Sequence, residues 1–564
     1  MKLQTAEDLI KAKDQGNTTL FPGKVRINVG MSTCCLAKGA DIVLNALEYG
    51  LKSRALDAEV AKVGCSGLCH MEPIVEIQQP GKSKIIYGNV KEQDVTRLLD
   101  AIAADNVVED LAYARIDSEN HALVGEIKYQ YSADAGAYAS VRSVKDIDCI
   151  RAQHKVILRN AGSINPENIY EYIARGGYDS LAKALAMKPA AIIKDVIDAG
   201  LRGRGGGGFP AGLKWKACRE AAGAEKYLIC NVSEGEPGIG MHRSFLESDP
   251  HSVLEGLIIG GFAIGASIAY VYIRDNYRIA LKRFQKAIDD ATELGLLGDN
   301  ILGSSFHMTV KVKEGGGRFV CGEETALIAC IEGRIGEPCQ RPPFPVEKGL
   351  FGKPTCINNV ETWANIPVII AKGSAWYNTI GSEKSKGTKV LSLAGNIARA
   401  GMIEVAMGTS LKDVVYTIGG GVASGKKLKG IQTGGPSGGV IPANMDTLTV
   451  DYDALKGAGS MLGSGGMVIM DEDTDMVKVA RYFTDFFVQE SCGKCVPCRE
   501  GVCRMGAMLD EIIAGRGTAH DLSLLQEMSE PIISAAACAL GKTAPIPVLS
   551  SLKYFRDDYM AYIK

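Results

Sequence analysis

The order of apolar and polar positions predicts a small α/β unit at the N-terminus. Residues 1–20 have the spacing of an amphipathic helix, and residues 25–29 form an apolar run typical of a strand. A helix is expected over 41–51, a hairpin over 73–78 and 84–87, and a second helix over 95–104. We place this unit at residues 1–110, followed by a mixed, charged connector at 111–164.

From residue 165 to 387, apolar strands alternate with helical segments, as in an α/β sheet domain. The segment 182–200 is expected to be helical, and the strands are expected at 227–231, 268–273 and 308–312. Residues 256–273 contain no charge and resemble a membrane span, but the run holds four glycines and becomes β-branched and aromatic midway. We therefore interpret it as a helix followed by a buried strand.

The last third of the chain changes pattern twice. Over 388–470, short β segments at 390–393, 402–405 and 428–433 alternate with glycine-rich turns, which predicts a small, mostly β domain. After Asp471 the pattern is helical and carries cysteines to the end of the sequence, and we assign 471–564 to a helical domain.

Composition limits the possible functions. The 564 residues carry a net charge of −2, so nothing indicates a nucleic-acid partner. The 46 % hydrophobic and 23 % charged residues are ordinary for a globular protein, but 66 glycines and 16 cysteines are not. The N-terminus has no apolar signal region, so we expect a cytoplasmic protein without a membrane span, whose clustered thiols serve metal or redox chemistry.

Three cysteines are closely spaced near the C-terminus. Cys492, Cys495 and Cys498 form C-x2-C-x2-C, a spacing that lets three thiolates on one loop bind a cubane iron–sulfur cluster. A zinc site is the less favoured alternative, because structural zinc usually takes two separated pairs. Spacing alone leaves the fourth ligand open between Cys503 and Cys538.

A run of glycines at 203–208 is the strongest sign of a nucleotide or flavin site. Gly203, Gly205 and Gly208 satisfy G-x-G-x-x-G, but a helix precedes the run where a dinucleotide fingerprint requires a strand. Glycines still expose backbone N–H groups to an anionic or flat cofactor, and Lys214 follows within reach of a phosphate. A flexible hinge is the alternative interpretation.

Two pairs of acidic residues follow apolar segments. Glu234 and Glu236 come after a predicted strand, where ligands of α/β domains bind, and Glu323 and Glu324 precede a predicted helix. These carboxylates could accept hydrogen bonds from ribose hydroxyls. Capping of helix N-termini is the more ordinary role for acids at such positions.

Four motifs together resemble one family, the flavin-bearing NADH dehydrogenase subunit of respiratory complex I, which also serves soluble NAD-reducing hydrogenases and formate dehydrogenases. The motifs lie at 200–215, 321–327, 352–362 and 490–501, and the likeness runs from about 165 to the end. The N-terminal unit resembles the thioredoxin-like iron–sulfur domain found in β subunits of multimeric NAD-linked iron-only hydrogenases, including electron-bifurcating ones.

The resemblance implies an α/β multidomain fold: a thioredoxin-like domain, a Rossmann-like FMN and NADH domain, a β-grasp-like module at 388–470 and a C-terminal helical bundle with a 4Fe–4S cluster. It implies FMN in the glycine loop and NADH stacked on the flavin, with hydride passing between the two. Ser233 stands where the family usually has Asp, and Arg341 where it has Lys. The residues so assigned to cofactor binding are Gly203, Arg204, Gly205, Gly206, Phe209, Lys214, Asn231, Ser233, Glu234, Glu236, Phe319, Gly322, Glu323, Glu324, Arg341, Phe344, Asn358 and Asn359.

The resemblance also implies the cluster ligands. Cys538 joins Cys492, Cys495 and Cys498, which leaves Cys503 as a bystander. In the N-terminal domain the family binds a 2Fe–2S cluster through two pairs of cysteines. Cys65 and Cys69 supply the second pair; the first falls on Gly30 and Cys35, so one ligand is missing and Cys34 is its possible substitute. The alternative is a docking domain that keeps the fold and holds no cluster.

The implied function is an NADH-oxidising or NAD-reducing FMN and iron–sulfur subunit of a soluble hydrogenase. Its expected partners are a hydrogenase catalytic subunit and a small thioredoxin-like 2Fe–2S subunit in a hetero-oligomer. A formate dehydrogenase or other reductase complex is the alternative assembly. A degenerate iron–sulfur scaffold is the non-catalytic alternative, motivated by Ser233 and Gly30.

Overall fold

The N-terminal cysteines lie beside a five-stranded sheet of thioredoxin-like topology. In this computed structural model, which describes residues 2–129 and 137–563, the strand order is β2-β1-β3-β4-β5, with β1 and β2 parallel and the other neighbours antiparallel. The strands are β1 (Val25–Gly30), β2 (Ala58–Val63), β3 (Val75–Gln78), β4 (Lys84–Tyr87) and β5 (Ala112–Ile116). The helices up to this point are α1 (Ala6–Leu20), α2 (Thr33–Leu36), α3 (Ala40–Ser53) and α4 (Val95–Ala103). The expected hairpin and all three helices expected over 1–20, 41–51 and 95–104 are present.

Two features differ from the expected organisation. Residues 112–116, expected in the connector, add a fifth strand to the sheet. Helix α1 buries Leu9 and Ala12 in the core of the following domain rather than in the thioredoxin-like core. A Cβ on Gly16 would lie 1.9 Å from the carbonyl oxygen of Tyr170, so glycine is needed for this close helix contact. The remaining connector elements are β6 (Ser118–His121), β7 (Gly125–Lys128), α5 (Ala137–Ser140) and α6 (Asp148–Arg151).

The central domain is built on a four-stranded parallel sheet of order β10-β9-β8-β11. Its strands are β8 (Tyr227–Val232), β9 (Ile268–Arg274), β10 (Thr309–Gly315) and β11 (Thr355–Asn359). Its helices are α7 (Ile169–Ala174), α8 (Asp179–Leu185), α9 (Pro189–Asp198), α10 (Ala211–Glu220), α11 (Met241–Ser248), α12 (Pro250–Ile264), α13 (Arg278–Glu293), α14 (Glu324–Ile331), α15 (Val360–Lys372) and α16 (Ser374–Tyr377). The strands are added to one side of β8 as far as β10, and β11 is then added on its other side, so the switch point of the sheet lies between β8 and β11. In open α/β sheets ligands bind at such a switch point, beyond the carboxyl ends of the strands.

The charge-free run over 256–273 is the helix-then-strand unit that its composition predicts. Helix α12 is buried almost throughout, and it ends at Gly265 (φ +87°), from which the chain enters β9. Two of its glycines, Gly256 and Gly260, lie against Trp363 of α15, where a Cβ would come within 2.1 and 2.5 Å of that residue. Among the described helices, none is both long and apolar enough to cross a membrane.

Residues 388–471 form a β-grasp-like sheet of order β13-β12-β16-β14-β15, in which β12 and β16 are parallel. Its elements are β12 (Thr388–Gly395), β13 (Gly401–Ala406), β14 (Leu428–Thr433), β15 (Val440–Pro442), α17 (Tyr452–Gly457) and β16 (Gly466–Asp471). One face covers a separate apolar core that includes Leu391, Ile431 and Leu455.

The C-terminal segment is helical, as predicted. It contains α18 (Met476–Glu490), a π-helical turn (Pro497–Val502), α19 (Cys503–Ile513), α20 (Ala519–Ala535), α21 (Ala539–Thr543), α22 (Ile546–Tyr554) and α23 (Arg556–Met560). These helices share one core with residues of β8, β9 and α14, including Ile229 and Leu327, so the cysteine-bearing bundle packs directly on the central sheet.

Candidate functional site

The glycine loop joins α9 to α10 and is held from one side by the β-grasp-like domain. Gly206 and Gly208 have φ values of +128° and +62°, which L side chains rarely adopt. The ring of Tyr452 lies 2.8 Å from where a Cβ on Gly208 would stand, and its hydroxyl donates to the carbonyl of Gly203 at 2.9 Å. Gly207 has open space, with nothing within 4 Å of an added Cβ. The loop is thus fixed from behind and open in front.

The side chain of Arg204 serves this anchoring and does not face the open side. It is fully buried, and its guanidinium donates to the carbonyls of Thr388 at 3.0 Å and Arg202 at 2.9 Å. The Arg204 backbone N–H donates to the Thr362 hydroxyl at 2.9 Å. Arg204 is one of the residues that the resemblance assigns to cofactor binding, but its side chain supports the shape of the glycine loop and does not face the open side.

Asparagines stand at the carboxyl ends of the two strands beside the switch point. Asn231, near the end of β8, donates to the carbonyl of Gly322 at 2.8 Å and accepts from the Ser233 N–H at 3.0 Å. Asn359, at the end of β11, caps α15 by accepting from the Thr362 N–H at 2.9 Å. Asn358 lies beside it and is buried. These amides fix the loops that border the glycine run.

Two of the predicted carboxylates cap helices, the more ordinary of their two anticipated roles. Glu234 accepts from the N–H groups of Met241 and His242 at the start of α11, both at 3.0 Å. Glu323 accepts from the N–H groups of Thr325 and Ala326 at the start of α14, at 2.9 and 3.0 Å. Each of these helices therefore begins at this edge of the sheet with two of its N-terminal N–H groups satisfied by a carboxylate.

Lys214, Glu324 and Arg341 form a chain of charges beside the glycine loop. The Lys214 ammonium lies 2.6 Å from Glu324 Oε1 and also donates to the carbonyl of Ile357 at 2.9 Å. The other carboxylate oxygen of Glu324 accepts from Arg341 at 3.3 Å. Lys214, which is expected to bind a phosphate, and Glu324, which is expected to bind a ribose, thus neutralise each other's charge.

Glu236 lies where the β-grasp-like domain meets the site. Its Oε2 accepts from the Ser464 hydroxyl at 2.6 Å, and it lies 2.5 Å from where a Cβ on Gly435 would stand. Burial raises the pKa of Glu236 to about 7, the nearby Glu234 carboxylate adds to the rise, and the Ser464 hydrogen bond and Lys389 oppose it. Glu236 therefore changes charge near neutral pH.

The three predicted aromatic residues fall into two groups. Phe209 and Phe344 are 57 % and 49 % exposed, unusual for large apolar side chains and suited to stacking on a planar ligand. Phe319 instead packs edge-on against Phe486 of α18, with ring centroids 5.3 Å apart, and its N–H donates to Glu490 at 2.8 Å. Phe319 thus ties the site to the C-terminal helices.

This edge of the sheet fits FMN. Small residues flank the opening: a Cβ on Gly205 would lie 3.1 Å from Asn359, and one on Gly322 would lie 3.1 Å from the carbonyl of Ser233. The open face at Gly207, the ammonium of Lys214 and the amides provide a cradle for a flat ring and a phosphate.

The C-terminal cysteines surround an enclosed cavity. Cys492, Cys495, Cys498 and Cys538 line it together with Val320 and Leu540, whereas Cys503 is exposed on α19. Burial raises the pKa of Cys498 to about 11, the charges of the other three thiols add to the rise, and the hydrogen bond with Ser491 opposes it. A cationic group would relieve this crowding of thiols, so the pocket fits a 4Fe–4S cluster with Cys538 as its fourth ligand.

The N-terminal cysteines also converge. The sulfurs of Cys65 and Cys69 are 3.5 Å apart, and those of Cys34 and Cys35 are 3.9 Å apart. The donor atoms of Cys34, Cys35, Cys65 and Glu72 all lie within 4.8 Å of one another. Hydrogen bonds from Cys35, Cys65 and Cys69 lower the pKa of the Cys34 thiol. These four thiols and the Glu72 carboxylate fit an iron–sulfur group.

Sequence reasoning missed two contributors. Glu72 carries no motif, because its approach to Cys35 depends on the fold. Ser464 was missed too, although the surrounding glycines over 434–439 and 463–466 were a usable signal: Gly463 lies so close to Gly434 that a Cβ would come within 2.5 Å of its Cα.

Family models match three parts of the chain. The Nuo51 FMN-binding domain matches residues 196–368, the NADH-ubiquinone oxidoreductase-F iron–sulfur binding region matches 478–562, and the thioredoxin-like [2Fe-2S] ferredoxin matches 19–103. The three matches cover the glycine loop, the C-terminal cysteines and the N-terminal cysteines, respectively.

Whole proteins match as well. The chain is 52 % identical over 414 residues to the NADP-reducing hydrogenase subunit HndC of Solidesulfovibrio fructosivorans, covering 73 % of this chain and 84 % of that protein. It is 45 % identical over 410 residues to the F 2 subunit of NADH-quinone oxidoreductase of Rhizobium meliloti (strain 1021), covering 72 % and 97 %. A chain in the crystal structure of an air-oxidised NAD+-reducing [NiFe]-hydrogenase superposes with a TM-score of 0.64 at 27 % identity, covering 99 % of this chain and 91 % of that one.

Proposed function

The chain belongs to the family of FMN-binding iron–sulfur subunits that includes the F subunit of NADH-quinone oxidoreductase, and from this premise we propose that it is the pyridine-nucleotide-oxidising or -reducing subunit of a multisubunit hydrogenase. The observation that carries the proposal is one arrangement: a flavin-type cradle and an enclosed four-cysteine pocket share the turn Phe319–Gly322. The extent of the match to a hydrogenase subunit supports a hydrogenase as the partner that exchanges electrons with this chain.

The residues of the flavin site bind and orient. The glycine loop brings main-chain atoms close to the flavin, Lys214 meets the phosphate, and Phe209 and Phe344 cover the adenine of the nucleotide. Bound FMN supplies the chemistry that converts a hydride into single electrons.

The turn Phe319–Gly322 connects the flavin site to the cluster pocket. Gly322 accepts a hydrogen bond from Asn231 beside the glycine loop, and Val320, two residues earlier, lines the cysteine pocket. One short segment of backbone therefore separates the two redox sites, which suits electron transfer from one to the other without a mobile carrier.

The acidic lining favours NADH over NADPH. We expect Glu236 and Glu324 to accept hydrogen bonds from ribose hydroxyls. Glu324 is already paired with Lys214 and Arg341, so repulsion of a 2′-phosphate would come from Glu236, which accepts from the Ser464 hydroxyl. Arg341, half-exposed beside Glu324, is the observation that favours NADPH as the second candidate, in line with the name of one relative. Comparison of kcat/KM for the two nucleotides separates them.

The proposed partners are a hydrogenase catalytic subunit and a small thioredoxin-like 2Fe–2S subunit. The proposed compartment is the cytoplasm, supported by sixteen cysteines of which none forms a disulfide. A formate dehydrogenase or other reductase is the alternative partner.

Anaerobically purified protein tests the proposal directly. We expect stoichiometric FMN, NADH-driven reduction of a viologen dye and co-purification of a hydrogenase chain. Absence of both FMN and dye reduction would leave only the degenerate scaffold. Dye reduction together with a co-purifying formate dehydrogenase chain would select the alternative assembly.

A further inference from the structure

Glu72 lies among the N-terminal cysteines, on the loop between β2 and β3. Its Oε1 is 3.0 Å from the Cys35 sulfur. Only 4 % of its surface is exposed. Position 30, at the end of β1, is glycine, although the family pattern places the partner thiol of Cys35 there.

The carboxylate occupies the space that a side chain at position 30 would enter. A Cβ on Gly30 would lie 3.3 and 3.4 Å from the two carboxylate oxygens of Glu72 and 3.1 Å from the Cys35 sulfur. A thiol there would extend from that Cβ into the same volume. The missing donor and the Glu72 carboxylate therefore coincide in space.

Nothing cationic in the described structure compensates for this buried carboxylate. The contacts that reach it are the Ile74 N–H at 3.0 Å and the thiols, and no Lys, Arg or His of the described residues forms an ion pair with it. Burial of a carboxylate without a counter-charge is unfavourable unless the group is neutralised or binds a metal. A metal ion at this position would supply that charge.

We propose that Glu72 is an iron ligand of the N-terminal 2Fe–2S site and acts with Cys35, Cys65 and Cys69 in place of the thiolate absent at position 30. The carboxyl group binds as its anion and releases one proton to solvent, so it contributes the same charge as the thiolate it replaces. Carboxylate oxygen is an established ligand type for non-haem iron. This inference concerns the thioredoxin-like domain and does not depend on nucleotide oxidation.

Cys34 is the rival donor, because its sulfur also faces the other thiols. It is half-buried and lines an open cleft with Arg243 and Lys38. Cys69 lies at the same cleft, whereas Cys35, Cys65 and Glu72 are buried. It is also adjacent to Cys35 on the single turn of α2. In our assignment Cys34 remains an uncoordinated thiol at the cleft.

The test uses the full-length chain, reconstituted anaerobically with iron and sulfide and reduced with dithionite. EPR is recorded at a temperature where the faster-relaxing 4Fe–4S signal is broadened away. Glu72→Gln should lower the N-terminal signal roughly tenfold or more and remove about two irons per chain. Cys34→Ser should retain both. Glu72→Cys should retain the cluster with changed g values. FMN content and the low-temperature 4Fe–4S signal report that each variant is folded.

Glu76→Gln is the matched control. Glu76, on β3, is a second buried carboxylate of the thioredoxin-like domain, but it faces Lys84 at 3.5 Å and should leave the signal unchanged. Loss of the signal in Cys34→Ser with an unaltered spectrum in Glu72→Gln would overturn the proposal. So would a wild-type chain that binds no N-terminal iron, or one that binds a single metal ion without acid-labile sulfide.

Discussion

The Lys214 ammonium lies 2.6 Å from the Glu324 carboxylate. Lys214 is expected to bind the FMN phosphate and Glu324 a ribose of the nucleotide, but in this structure the two side chains are paired with each other. Lys214 is on the first turns of α10, directly after the glycine loop, and Glu324 begins α14. In the proposed site, a bound phosphate would replace Glu324 as the anion paired with Lys214. The Glu324 carboxylate would then be available to a ribose hydroxyl while its other oxygen stays with Arg341.

Lys214→Met should therefore weaken FMN binding. Loss of a charge-assisted hydrogen bond corresponds to about 1.5–3 kcal/mol, or roughly ten- to a hundredfold in Kd. The measurement is FMN content after gel filtration, with the Kd from flavin fluorescence. Lys216→Met is the control, because Lys216 lies on the same helix and its ion pair in the described part of the chain is with exposed Glu220. Equal FMN retention in the two variants would contradict the proposed role of Lys214.

Glu236 should give nucleotide binding a pH dependence. Because burial raises its pKa to about 7, the group is protonated at pH 6 and ionised at pH 8, and the anion is the stronger acceptor for a ribose hydroxyl. We expect the KM for NADH to fall several-fold from pH 6 to pH 8. In Glu236→Gln the KM should stay near its pH 6 value throughout. Glu220→Gln, a change at an exposed carboxylate, should show the same pH dependence of KM as the wild type. If the KM of Glu236→Gln still falls between pH 6 and pH 8, a group other than Glu236 is responsible.

The fourth ligand of the C-terminal cluster can be identified with two serine variants. Cys538→Ser should lose the 4Fe–4S EPR signal, because Cys538 lines the same enclosed cavity as the other three cysteines. Cys503→Ser should keep the signal, since that thiol is exposed on α19. Iron content and FMN content are measured together, so that a folding defect is distinguished from loss of one cluster. The reverse pattern would make Cys503 the ligand.

A buried ion pair joins the central domain to the β-grasp-like domain. The Lys389 ammonium at the start of β12 contacts the Glu361 carboxylate on α15, and both side chains are fully buried. Glu361→Gln leaves the ammonium buried without a counter-charge, so we expect a loss of about 3–5 kcal/mol in the free energy of unfolding. Denaturant unfolding followed by flavin release measures it.

An exposed ion pair provides the comparison for this variant. Asp198→Asn, which breaks the surface pair with Lys194, should change the free energy of unfolding by less than about 1 kcal/mol. The double variant Lys389→Met with Glu361→Leu should recover much of the stability lost in Glu361→Gln. Equal destabilisation by Asp198→Asn and Glu361→Gln would contradict the importance of burial.

The sequence predicts the parts of the molecule that depend on local pattern. Alternation of strands and helices, the glycine run and the three closely spaced cysteines can all be identified without the fold. Cys538 could be named only through the resemblance, because 40 residues separate it from Cys498 along the chain. The structure then places both in one cavity.

What the sequence does not predict depends on long-range packing. The guanidinium of Arg204 turns away from the open side of its loop because carbonyls of residues 202, 386 and 388 are available behind it. Glu72 meets Cys35 only because β1 and β3 are neighbours in the sheet. The amphipathic pattern of α1 indicates that one face is buried but not which domain buries it.

Helix α1 gives the thioredoxin-like domain two attachments to the rest of the molecule. Helix α1 lies in the core of the central domain, the chain then forms the sheet β1–β5, and it re-enters that core at Val156. Because the domain is attached at both ends, its concentration relative to the central domain is set by the fold and does not change when the protein is diluted. Electron exchange between its cysteine site and the central domain should therefore be first-order in protein, whereas a separate protein would have to associate at every encounter.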